Sequence, residues 1–433
     1  MPPDALTLDD AGFPTAHGRP LDLAPKERAV LALLLKSRPG VVSKNDFADV
    51  AWAGQAMSDE SLARSISRLR RVLGPMGLSI ESVYGTGYRL GGDGADGAHA
   101  PPALPRLAGV AHASQATVDA YLHARQLALS RTPAAVGRAI ELLRELIARE
   151  PGYTPAGVAL GEALAAAVGW GQVPTDDAVA EGLAVLTAAE RLDPSTPGLA
   201  GARGSLLDMA WRFEEAALAH GQALRQGSSD PDTLLLSARH LLMTGQADAA
   251  VERLKQALSI SPHAPLLRMT LSRALVQAGR GPEAVAEAQA AQAEHPGQLL
   301  LVAFALAMQA QVAPTPAIEA PAWRLSDGAD TPPFVWTVLS FVLARLGRRE
   351  AALDIIDATL ICSRTTTGEA TLYAAPLAAI GEIDRAAALL QRACDERCGM
   401  LAMVLRDPAH AGWLPAHPVG RRLLQAVFGS AIG

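Results

Sequence analysis

SDESLARSISRLRRVLG, residues 58–74, winds an apolar stripe and a basic stripe around one short helix. At about 100° per residue, Leu62, Ile66, Leu69 and Leu73 fall within one narrow sector. Arg64, Arg68 and Arg71 lie nearly opposite, with Ser61 and Ser65 on the flank. Ser58 or Asp59 caps the start, and Gly74-Pro75 ends the helix. Such a basic face is either an ordinary solvated surface or one shaped to enter a nucleic-acid groove. Charge alone does not separate these readings, so the flanking sequence must.

Upstream, Leu6-Thr7-Leu8 and Leu21-Asp22-Leu23 alternate around a Gly/Pro/His-containing turn, the pattern of a small antiparallel sheet. Pro25 then opens a helix that buries Val30, Leu31, Leu34 and Leu35, and Arg38-Pro39-Gly40 stops it. Ser43 is the expected N-cap of a second, short helix with Phe47, Ala48 and Val50 inward. Downstream, SIESVYGTGYRL (79–90) reads as two strands joined at Gly85-Thr86-Gly87. Because this Gly-x-Gly joins strands and opens no helix, it is not a dinucleotide loop.

Strands, three helices and a terminal hairpin make a winged helix-turn-helix. Leu21-x-Leu23-x-Pro25-x-Glu27, RPGVVSKNDFADVAW, SDESLARSISRLRRVLG and IESVYGTGYRL together resemble the C-terminal DNA-binding domain of OmpR/PhoB-type response regulators, over roughly residues 5–91. The resemblance implies that the third helix enters the major groove and the hairpin touches the adjacent minor groove. On that basis Ser61, Arg64, Ser65 and Arg68 face bases or backbone, and Arg71 faces phosphate. Ser43 and Lys44 would clamp phosphate at the start of the second helix. Tyr84, Thr86 and Arg89 are the wing candidates, with Tyr84 standing where the family often has a basic residue. Trp52 is a packing anchor, and the loop Ala53–Met57 occupies the place where the family often meets RNA polymerase. With the domain starting in the first ten residues, no receiver is expected before it, nor control by aspartate phosphorylation.

The 433 residues are too many for one core, and their composition (49% hydrophobic, 4% aromatic) favours soluble helical structure. Net charge is −6, so nucleic acid is not coated by bulk charge. The first 90 residues carry a net +1 and the remainder −7, which places any nucleic-acid contact at the N-terminal end. Cys362, Cys394 and Cys398 form no disulfide framework or paired ligand set and read as buried thiols in a reducing compartment. MPPDALTLDD is no secretory signal, and the longest apolar runs (299–308, 334–344) fall short of the ~18–20 residues of a membrane span. A cytoplasmic location without membrane partners is expected.

GGDGADGAHAPPALP (91–105) reads as a flexible linker. Beyond it the chain repeats every 34 residues: Gly245 and Gly279, Gly347 and Gly381, Ala250 and Ala284, Pro262 and Pro296, Ala352 and Ala386. Each unit reads as helix, Gly turn, helix, Pro, with Ala238, Ala250 and Ala257 at the crossing and Leu234, Leu241 and Leu254 in the seam. This pattern matches the tetratricopeptide repeat, in frames starting at 197, 231, 265, 299, 333 and 367. AVGWGQVPTDD (167–177) inserts a loop, and Pro314, Pro316 and Pro321 spoil the second helix of the 299 unit. Residues 120–153 and 406–429 resemble the opening repeat and closing segment of bacterial regulators with this domain; the latter is expected to cap the solenoid. Trp170, Trp211, Trp323 and Trp336 read as packing residues.

The expected fold is therefore mainly α: an α+β winged helix-turn-helix (1–91), a linker (92–114), an all-α tetratricopeptide solenoid (115–400) and a C-terminal capping segment (401–433). Its groove would hold a protein, peptide or small-molecule effector, or mediate self-association such as homodimerisation. The histidines are dispersed, with no HExxH or triad-like cluster, so no catalytic, metal or cofactor constellation is expected. Two functions remain open: a transcriptional regulator bound to double-stranded DNA, and a repeat scaffold whose winged helix contacts protein.

Overall fold

The computed structural model divides into two compact units, residues 1–103 and 104–433. It describes residues 6–8, 14–16, 19–21, 23–37, 42–51, 59–73, 78–83, 87–92, 114–129, 132–227, 229–295, 297–327, 331–361 and 366–429. Trp52, the loop Ala53–Met57, Ser58, Tyr84, Thr86, Cys362 and most of the linker lie outside the described residues.

In the first unit, β1 (Leu6–Leu8), β2 (Pro14–Ala16) and β3 (Arg19–Pro20) form an antiparallel sheet in that order, with Leu6 opposite Ala16. The second strand thus precedes the expected Leu21–Leu23. Leu23 still turns into the core, but its carbonyl accepts from Arg28 at 3.1 Å rather than from a strand. Helix α1 (Pro25–Lys36) follows, its first turn closed by Ala24 N donating to the Glu27 carboxylate at 3.1 Å. After β4 (Val42–Ser43), α2 (Lys44–Ala51) and α3 (Asp59–Leu73) come β5 (Leu78–Val83) and β6 (Gly87–Gly92), in sheet order β4-β6-β5. Ser43 therefore sits in a strand, opposite Gly87.

Val30, Leu31 and Leu34 of α1 meet Phe47 and the full α3 stripe of Leu62, Ile66, Leu69 and Leu73 in one core. Phe47 also packs edge-on against Tyr88, ring centroids 6.0 Å apart. Val50, expected inward, is 54% exposed. Phe47 and Ala51, one turn apart, take the core side of α2 and leave Val50 facing outward.

The second unit stacks helix pairs: α4 (Gln115–Leu129) with α5 (Pro133–Arg149), α6 (Thr154–Gly169) with α7 (Thr175–Leu192), and α8 (Leu199–Met209) with α9 (Phe213–Gly227). Then come α10 (Pro231–Met243) with α11 (Ala247–Ile260) and α12 (Pro265–Gln277) with α13 (Gly281–Glu294). In the next unit α14 (Leu299–Val312) is followed only by a 3-10 turn and the short α15 (Glu319–Arg324). The prolines thus curtail the second helix as expected. Helices α16 (Pro333–Arg345) and α17 (Arg349–Ile361) restore the pattern. The inserted loop is smaller than expected, because all but residues 170–174 joins α6 or α7.

Two repeated positions set this geometry. Ala216, Ala250, Ala284, Ala352 and Ala386, at 34-residue steps or multiples of them, are fully buried where paired helices approach, with Ile318 in the same register in the curtailed unit. Gly245, Gly279, Gly347 and Gly381 turn the chain between partners with φ of +80°, +75°, +76° and +85°. Trp211, one repeat before Gly245, adopts φ +60° without a glycine's freedom. Ala313, one repeat after Gly279, is extended at φ −148°, and there the full second helix is missing.

Frame 367 departs from expectation. Its first helix is split into α18 (Thr367–Thr371) and α19 (Ala374–Ala379), because Pro376 removes a donor and crowds the carbonyl one turn back. After α20 (Ile383–Asp395), α21 (Leu401–Leu405) leads to α22 (Pro418–Phe428), which packs on α20. Residues 397–407 instead fold back along the early repeats: Thr175 donates to Arg397 O at 2.6 Å and Gly399 N to Val168 O at 3.3 Å. Gly368 N also reaches Trp170 O at 3.1 Å. One apolar core runs from Tyr121 through Leu206 to Tyr373, Leu401 and Val427. Among the described residues, no helix is long and apolar enough to cross a membrane.

A Cβ on Gly279 would meet nothing within 4 Å, so substitution there isolates backbone strain. Gly279→Ala should lower the unfolding free energy by about 1 kcal/mol, and Gly279→Asn by less. Denaturant midpoints of the full chain read the difference.

Candidate nucleic-acid interface and the occupied repeat groove

Helix α3 is held by its buried stripe, which fixes which side chains can face outward. Arg68 is exposed along 69% of its side chain, yet one guanidinium nitrogen reaches the largely buried Glu27 carboxylate at 3.1 Å. Glu27 also closes the first turn of α1, so Arg68 ties α3 to that helix as well as adding positive charge. Arg70, not singled out from sequence, donates from Nε to Ile80 O at 2.8 Å and binds α3 to the wing strand β5. Its signal was only its place in the same basic run.

Ser65 is buried, 9% exposed. It sits beside the Leu62–Leu69 stripe, so its burial counts against the expected groove-facing place. Arg89 is half-buried on β6. The structure places Ser61, Arg64 and Arg71 on α3, Ser43 on β4 and Lys44 at the start of α2; their side chains, like Tyr84 and Thr86, lie outside the described residues.

In the second unit the inner groove already holds a piece of the chain. Met209, Met243, Gln277 and Gln311 recur at 34-residue intervals near the ends of successive first helices. Gly399 lies so close to Met209 that a Cβ would stand 2.8 Å from its sulfur and 3.0 Å from its carbonyl oxygen. Gln277 donates to Arg406 O at 3.2 Å, and Gln311 to the Asp407 carboxylate at 2.8 Å. Residues 399–407 therefore climb the repeats in order, meeting Met209, then Gln277, then Gln311, as a bound peptide would. The Arg406 guanidinium sits 4.2 Å from the Phe428 ring centroid, and burial lowers its pKa.

Two of the dispersed histidines converge, which the sequence reading missed. His220 Nε2 and His240 Nδ1 lie 2.8 and 2.7 Å from the two oxygens of Asp208, all three side chains being buried. Burial alone would raise the Asp208 pKa, but the hydrogen bonds from both imidazoles outweigh it and hold the carboxyl below its usual range. Among the described residues these three form the one group whose metal-ligating atoms all lie within 4.8 Å. Their separations are those of direct hydrogen bonds, so the trio serves as a buried polar lock between α8, α9 and α10. No 34-residue regularity joins the three positions, so only the fold reveals them. Burial also pushes the Cys398 thiol up to about 11 and raises Cys394, leaving both protonated at neutral pH.

Comparison with known proteins agrees with this division. Residues 18–90 match the family described as "Transcriptional regulatory protein, C terminal", and residues 241–307 match the tetratricopeptide repeat. The chain is 41% identical over 89 residues to the transcriptional regulator HilA of Salmonella typhimurium, covering 20% of this chain and 16% of that relative. It is 35% identical over 86 residues to the transcriptional regulatory protein TctD of Salmonella typhimurium, covering 20% and 38%. The matched stretches thus span well under half of either relative. A solved tetratricopeptide repeat protein of Thermus thermophilus is 18% identical with a TM-score of 0.39, covering 44% of this chain and 98% of that one. The chain thus joins an OmpR/PhoB-type winged helix to a tetratricopeptide solenoid.

Asp208→Asn should cost about 2–4 kcal/mol, because one imidazole loses its acceptor in a dry site. The folded carboxyl titrates below its unfolded value, so its contribution is complete at neutral pH and vanishes as pH falls through the depressed value. Thermal melts should show the gap between wild type and D208N closing in acid.

Proposed function

We propose that the protein is a DNA-binding transcriptional regulator, not an enzyme. In this reading the first unit grips promoter duplex through α3 and the wing, and the repeats receive a protein, peptide or small-molecule effector. The observation that carries it is the winged-helix order with the complete apolar stripe of α3 buried and Arg68, on the opposite side of that helix, exposed. The match of residues 18–90 to a regulatory DNA-binding family supports the same reading.

Arg64 and Arg71 are the proposed base and phosphate contacts, joined by Ser61 on α3, Ser43 and Lys44 near the start of α2, and Tyr84, Thr86 and Arg89 in the wing. Arg68 keeps a share of phosphate contact while its bond to Glu27 sets the angle of α3. A single winged helix covers a short half-site, so tight binding calls for a homodimer or tandem sites. RNA polymerase is the proposed partner of the Ala53–Met57 loop, and the cytoplasm the proposed location.

Changing Arg64 and Arg68 together to Ala should weaken promoter binding by about tenfold to a hundredfold and flatten the log affinity–log salt slope by about two. Ser65→Ala should leave affinity unchanged. Fluorescence anisotropy on promoter fragments across a salt series decides it: unchanged affinity and slope in the double variant would favour a scaffold whose winged helix contacts protein.

A further inference from the structure

Inside the solenoid, the first helices of the early repeats and the folded-back segment line a partly open cavity of about 210 Å³. Its walls are mostly apolar: Ala159, Ala163, Leu235, Met243 and Trp170 from the repeats, Met400 and Met403 from the returning chain. Five charged side chains also line it: Arg125 on α4, Glu162 on α6, Asp208 on α8, and Asp232 and Arg239 on α10.

Four of these five are engaged. Asp208 is locked between two imidazoles. Arg125 donates to Tyr121 Oη at 3.3 Å, and Asp232 and Arg239 have partners of their own. Glu162 has no hydrogen bond or ion pair among the described residues. Desolvation raises its pKa, the charge of Arg125 works against that rise, and Asp232 and Asp230 add to it. Glu162 is half-buried on the cavity wall, and a carboxylate partly withdrawn from water without a hydrogen-bonding partner favours a cation brought to it.

We propose that this cavity is the binding site of a small organic ammonium compound, whose cationic head pairs with Glu162 and whose apolar body lies against the methionine, leucine and tryptophan walls. The inference deepens the effector half of the proposed function and rests on it. A bare metal ion does not fit these walls, because hard cations need several oxygen ligands and Glu162 is the one carboxylate left unengaged. An anion would face three carboxyl groups, Glu162, Asp208 and Asp232, against two guanidinium groups that already have partners. Trp170 suits an ammonium head, and thioethers adapt to an apolar body. Because Met400 and Met403 belong to the segment that fills the groove, occupancy also fastens that segment to the early repeats.

The test uses the full chain and three compounds that share a phenethyl body, phenethylamine, 2-phenylethanol and 3-phenylpropionate, titrated calorimetrically at neutral pH. Wild type should bind the amine about tenfold or more tighter than the alcohol, and the acid not at all. Glu162→Gln should abolish that preference while leaving thermal stability equal or higher. Equal binding of amine and alcohol by wild type, or no binding of the amine at about 10 mM, overturns the proposal without recourse to any variant. Retention of the full preference in E162Q overturns it too. Promoter binding is read on the same preparations without ligand: its absence counts against the regulator reading and leaves the amine result standing. Absence of amine selectivity in wild type with promoter binding intact rejects the pocket alone.

Discussion

Close approach of paired helices at fully buried alanines is the constraint on which the repeat unit depends. A side chain of one carbon at positions 216, 250, 284, 352 and 386 lets each second helix lie against its first. Glycine turns of positive φ then bring the chain back after a fixed length. With contact and turn both repeated, successive pairs stack with their first helices inward. The returning chain at 397–407 uses that inner surface as a track, touching equivalent positions unit by unit. The cavity exists only because both the track and the returning chain are in place.

The winged helix depends on a different device. Four large aliphatic side chains on α3 seal the core, and two arginines on its outer side are bonded to neighbouring elements, Arg68 to Glu27 and Arg70 to Ile80 O. Exposed ion pairs add little stability, so the value of these contacts lies in fixing the direction of the helix. An arginine that orients the recognition helix and one that contacts DNA are indistinguishable in composition. They separate only by what stands within 3.1 Å.

Irregular repeats carry the features that regular ones cannot. Trp211 occupies a glycine position and lies under Arg397, 5.4 Å from guanidinium carbon to ring centroid, which joins the third repeat to the returning chain. The curtailed unit at 314–324 gives up a full second helix yet keeps Ile318 in the alanine register. The buried Asp208 with His220 and His240 replaces apolar packing by a directional lock. Buried polar groups of this kind trade stability for a single defined arrangement.

The amino-acid sequence by itself determined the elements governed by local periodicity. These are the α3 stripe, the hairpin, the 34-residue pairs, and the proline damage after α14. Each rests on residues within a few turns of one another, so spacing and side-chain size suffice. It misplaced the second strand, Val50 and Ser65, where one residue of helical phase or one competing hydrogen bond decides the outcome. The tertiary structure alone decided the meeting of Asp208, His220 and His240, the path of residues 397–407 through the groove, and the place of Glu162 on the cavity wall. Those contacts join residues up to 229 positions apart, as between Cys398 and Gly169 O, and no local pattern encodes a distance that only superhelical stacking creates.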